Sequence, residues 1–99
     1  MTNKSLSGSV GHVARNRFDD VRLVQYLLNC VPITRGGPTR ELMVDGVCRP
    51  RTVRAIFRFK RVQHGSTGAR IEPSGQIFRA LMEHDPYPSQ PLPPFCGKQ

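Results

Sequence analysis

Ninety-nine residues suit one small domain with a single modest core, and no stretch approaches the ~20 consecutive apolar residues that a membrane-spanning helix needs. Lys and Arg outnumber Asp and Glu 15 to 7, a net charge of +8 that favours anionic partners such as nucleic acid, acidic lipid or the carboxylates and phosphates of a cell wall. Cys30, Cys48 and Cys96 make an odd count without CxxC spacing, which argues against a structural zinc site and a full disulfide framework. Cys30 and Cys48 read as buried free thiols, with a bridge between them as the alternative.

Residues 1–17 are polar, basic and rich in Ser and Gly, and read as a mobile arm without the apolar core of a secretory signal. Asp19 or Asp20 then caps a first helix running to about Asn29, with Val21, Leu23, Val24, Leu27 and Leu28 on one side and Gln25 at the border. Pro32, Gly36, Gly37 and Pro38 break regular structure and predict a long loop. An Asp45-Gly46 turn and Pro50 lead into a second helix. At about 100° per residue its apolar face comprises Val53, Ile56, Phe57 and Phe59, with Ala55 at the border and Arg51, Arg54, Arg58 and Arg61 opposite. After a glycine-containing loop, Pro73, Ser74 and Gly75 introduce a third helix to about His84, with Ile77, Phe78, Leu81 and Met82 as its stripe. From Asp85 onward the prolines predict an extended, partly polyproline II tail over 85–99.

This order of motifs resembles the peptidoglycan-binding domain family, small three-helix modules attached to bacterial cell-wall hydrolases. Asp20-Val21, Val24-Gln25 and Leu28-Asn29 match its first helix; Val44-Asp45-Gly46, Pro50, Thr52, Ala55-Ile56 and Phe59 match its V-D-G-x-x-G-P-x-T-x-x-A-I-x-x-F-Q block; Pro73 with Ala80-Leu81 matches the weaker third part. The resemblance spans about residues 19–84 and implies a mainly α, compact three-helix bundle over 18–84 with long loops and extended termini. It also implies a non-catalytic module that binds peptidoglycan or another anionic wall polymer, at the cell envelope if exported without a cleavable signal and otherwise in the cytoplasm. Asp45, Gly46, Pro50, Thr52, Phe59 and Pro73 are expected to serve mainly the fold, because a turn and a helix start account for most of the motif.

Two positions depart from the family pattern. Arg49 stands in place of a glycine, where a positive φ would strain it, and Lys60 replaces a glutamine among apolar neighbours, so it must reach outward or find Asp45 or Asp20.

Chemistry is read from residue types. His12, His64 and His84 are scattered and Glu41, Glu72 and Glu83 are unpaired in sequence, so neither an enzyme nor a metal or cofactor site is expected. The candidate ligand-binding residues are Arg49, Arg51, Arg54, Arg58 and Arg61, whose forks suit carboxylates and phosphates, together with Gln25. The same arginines also fit a solvated helix face. Two further functions compete with wall binding: a protein-interaction adaptor of a secretion or phage-like system, and a basic helix-turn-helix-like nucleic-acid binder. The second is disfavoured by its long connections.

Overall fold

In the computed structural model, residues 4–90 and 92 are described, and among them there are three α-helices, a 3-10 turn and one short strand pair. Helix α1 (Phe18–Asn29) places Val21, Leu23, Val24, Leu27 and Leu28 in the core, as its period predicts. Neither Asp19 nor Asp20 caps it; Arg17 occupies the N-cap without a side-chain bond. The Asp20 carboxylate instead accepts from Ser7 N (3.0 Å), Ser7 Oγ (2.8 Å) and Gly8 N (2.9 Å).

That carboxylate is one reason why residues 4–17 are not the mobile arm that composition suggests. Leu6 and Val10 lie in the core, and β1 (Val10–Gly11) pairs antiparallel with β2 (Arg70–Ile71) in the register Val10 to Ile71 and Gly11 to Arg70. Gly11 has φ 127°, and a Cβ there would lie 2.0 Å from Ala69 O, so the strand approaches its neighbour too closely for any side chain. The Asn16 amide closes the intervening loop on both polar groups of Gly11. Composition misses this segment because a few apolar residues among polar ones suffice to anchor it.

Residues 85–90 fold back onto Lys4. Lys4 Nζ lies 2.9 Å from Asp85 Oδ2, with the two side chains 1% and 0% exposed. It donates to Tyr87 O (2.7 Å) and Gln90 O and sits 6.0 Å above the Tyr26 ring. Tyr26 Oη and Tyr87 N both donate to Asp85 Oδ1. Residues 85–90 therefore make a turn held to the body of the domain. The tail expected over 91 and 93–99, with Pro91, Pro93, Pro94 and Cys96, lies outside the described residues.

Helix α2 (Pro50–His64) starts on Pro50 at its first turn and ends on Gly65 at φ 66°, whose N–H bonds Arg61 O at 2.8 Å. Its buried stripe is Thr52, Ala55, Ile56 and Phe59, with Phe59 and Ile56 fully enclosed. The expected face is thus rotated: Val53 is half-buried and Phe57 is exposed. The cause is Thr52, whose hydroxyl is needed inside by Gln25 and which a ranking by hydrophobicity places outside. Lys60 reaches neither Asp45 nor Asp20; its Nζ donates to Arg70 O at 2.9 Å, tying α2 to β2. Arg49 sits at φ −93°, ordinary extended backbone, so the missing glycine introduces no strain.

Helix α3 (Gln76–Met82) buries Phe78 and Leu81, with Ile77 and Met82 partly buried against the same core. Helix α1 packs against both α2 and α3, and the strand pair packs against α1 through β1 and against α2 through both strands. The fold is mainly α. Cys30 and Cys48 are unbridged and half-buried, and burial pushes both thiols up. No helix among the described residues is long and apolar enough to cross a membrane.

Candidate functional site

The 38–49 segment and the first half of α2 form two adjoining open clefts, and the residues behind them explain their shape. Gln25, 1% exposed, is the centre of the support. Its Oε1 accepts from Asp45 N and Gly46 N, each at 3.0 Å. Its Nε2 donates to Val47 O (3.0 Å) and Thr52 Oγ1 (3.1 Å), with Asp45 Oδ1 at 3.3 Å sharing these two protons. One amide from α1 thereby fixes the turn and the start of α2. Gln25, expected from sequence as a ligand contact, lies at the base of the second cleft described below with both ends of its amide consumed internally, which makes it a supporting residue.

Gly46 adopts φ 78°, and a Cβ there would stand 2.3 Å from the Phe18 ring, so the turn requires glycine twice over. Asp45 accepts from Val47 N at 3.0 Å and pairs with Arg49. Partial burial alone would raise its carboxyl, but hydrogen bonds from Val47 N–H, Arg49 and Gln25 outweigh that and hold it below the usual carboxylate range. Farther along, Asn29 brackets Leu42, accepting from its N–H at 2.8 Å and donating to its carbonyl at 2.9 Å, which holds the preceding loop beside α2.

The five expected arginines separate into different roles. Arg49 is paired with Asp45. Arg58 donates to Gly37 O (2.9 Å) and Ile33 O (3.0 Å), so it secures the 3-10 turn Ile33–Arg35 and its exit. Arg51, Arg54 and Arg61 are exposed, and their guanidinium groups have no hydrogen-bond or ion-pair partner among the described residues. Arg51, Arg54 and Arg58 line a cleft of about 340 Å³ together with Arg40, and Leu42 and Ala55 belong to the same wall. Arg61 is not part of that lining. Arg40 was missed by sequence reasoning: its charge is visible, but only the Asn29 clamp on Leu42 brings it to α2.

Leu42 and Arg51 also line the second cleft, of about 230 Å³, with Met43, Val47 and Thr52. The N-terminus of α2 lacks electrostatic support of its own. Its first turn has no acidic residue and no side-chain cap, while Arg49 and Arg51 stand at its positive end. The Arg49 charge is offset by Asp45, which leaves Arg51 opposing the macrodipole at a cost of about 0.3–1 kcal/mol. The arrangement can bind an anion by guanidinium forks. Among the described residues, no group of three or more His, Cys, Asp or Glu converges to hold a metal ion.

Of the motif residues, Asp45, Gly46 and Thr52 belong to the Gln25 network, Pro50 starts α2, Phe59 fills the core, and Pro73 lies in the turn before α3. No protein-family model, curated protein or solved structure matches the chain, so its own residues carry the functional reading.

Proposed function

We propose that the chain is a non-catalytic binding module for bacterial peptidoglycan, or another anionic cell-wall polymer, built on a three-helix peptidoglycan-binding-like bundle. The observation that supports it best is the cleft bordered by Arg40, Arg51, Arg54 and Arg58, in which Arg51 and Arg54 have no internal partner among the described residues. Guanidinium forks match carboxylates and phosphates in bidentate geometry. The position of Arg51 at the positive end of α2 does nothing for helix stability and suits an anionic ligand. A helix-turn-helix nucleic-acid reader fits less well, since residues 30–49 separate α1 from α2 where that motif uses a short turn.

The test is co-sedimentation with purified sacculi beside a DNA-binding assay, both across salt concentration. The Arg40→Glu/Arg51→Glu/Arg54→Glu variant is expected to lose wall retention while still unfolding cooperatively, because exposed substitutions cost within about 0.5 kcal/mol each and so about 1.5 kcal/mol at most for the three. Arg58 is left intact because it ties the 33–37 turn to α2. Retention equal to wild type overturns the assignment. A steep salt slope on DNA supports the nucleic-acid reading instead, and retention by neither supports a protein adaptor.

A further inference from the structure

The geometry points to the peptide portion of the wall polymer, and not its sugar chain, as the segment these clefts hold; the inference rests on the wall-binding reading above. The arginine cleft runs into an apolar one, and the two share Arg51 and Leu42. The walls of the second cleft include Met43, 74% exposed, and Val47, 46% exposed. The polar groups at its base are already engaged. Gln25 bonds the turn, the Thr52 hydroxyl accepts from Gln25, and Asp45 is held by Arg49, Val47 N and Gln25.

The joined surface therefore offers cationic donors on one side and aliphatic wall on the other. Sugar hydroxyls need acceptors as well as donors, and pyranose faces favour aromatic platforms; no aromatic ring lines either cleft among the described residues. A peptide that carries a free carboxylate near a short aliphatic side chain complements both halves. Its carboxylate meets the Arg51 and Arg54 forks, and its methyl groups lie between Met43 and Val47. Because the clefts meet at Arg51, the two groups belong to the same or neighbouring residues, extended backbone advancing ~3.3 Å per residue. The net charge of +8 gives the same polarity at long range.

The test uses the full chain bound to sacculi and challenged with poly-glutamate and with two soluble fractions of the same wall: stem peptides freed by an amidase, and the peptide-free glycan strands left behind. Stem peptides are expected to displace the protein and glycan strands are not. The Met43→Ser/Val47→Ser variant, with unfolding checked in parallel, is expected to bind about tenfold more weakly with an unchanged salt slope, since no charge is altered. Displacement by glycan strands alone, wild-type affinity in that variant, or equal displacement by poly-glutamate overturns the inference while leaving wall binding in place. Absence of sacculus retention in the wild type overturns both.

Discussion

Replacing Gln25 by Ala tests the support beneath the clefts directly. The substitution removes the acceptor for Asp45 N and Gly46 N and the donor to Val47 O and Thr52 Oγ1, in a side chain that is 1% exposed. Orphaned buried groups cost about 1–3 kcal/mol each, reduced here because the Asp45 amide is partly exposed, and a vacated core site adds to this; about 3–4 kcal/mol in total is expected. Against the 5–15 kcal/mol typical of a domain that is a large fraction, equivalent to about 12–30 °C in Tm at this size.

Urea and thermal unfolding followed by circular dichroism measure it. The isosteric Gln25→Glu variant adds a sign test. Its new carboxylate keeps the two backbone acceptor bonds but faces Asp45 and Val47 O, so its protonated form is the one the fold prefers and its folded pKa is raised. Its deficit relative to wild type is therefore largest at neutral pH and shrinks as pH falls. A loss below about 1 kcal/mol for Gln25→Ala, or a Gln25→Glu deficit independent of pH between 7 and 4, refutes the view that this amide holds the turn.

Four other outcomes are expected. Lys4→Met leaves Asp85 buried without its counterion and costs about 3–5 kcal/mol in urea unfolding, whereas the Lys4→Met/Asp85→Leu double variant recovers much of that loss. Asp45 has a depressed folded pKa, so its contribution is present above the unfolded value of about 3.9 and lost as pH falls through the folded one. The difference between wild type and Asp45→Asn in unfolding midpoint should be flat above about pH 5 and close at lower pH. Val13, at φ 52° and 77% exposed, is a β-branched residue in left-handed backbone, so Val13→Asn raises stability by about 0.5–1 kcal/mol, read as a rise in Tm. Deletion of residues 1–11 removes Leu6, Val10 and β1 from the core and abolishes cooperative unfolding at 37 °C, the opposite of what a detached arm predicts.

By itself the sequence determined the elements whose signals are local. The five apolar residues of α1 recur with helical period, Pro50 has no N–H to leave unpaired at a helix start, and Asp45-Gly46 supplies a turn, so each was readable within a few neighbours. The guanidinium row on α2 was readable for the same reason. What only the tertiary structure decided was which polar groups are used up inside. Gln25 looked like a border residue until the backbone of 45–47 closed on it, and Thr52 was drawn inward with it, turning Phe57 out. Arg58 and Arg49 left the free set by binding Gly37, Ile33 and Asp45, while Arg40 joined the cleft through a loop clamped from α1. Lys4 and Asp85, 81 positions apart, neutralise each other in a place that neither composition nor periodicity marks. The physical reason is common to all of these. Hydrophobic period is a property of one helix, whereas these hydrogen bonds and ion pairs join different parts of the chain and exist only once folding has brought both partners together.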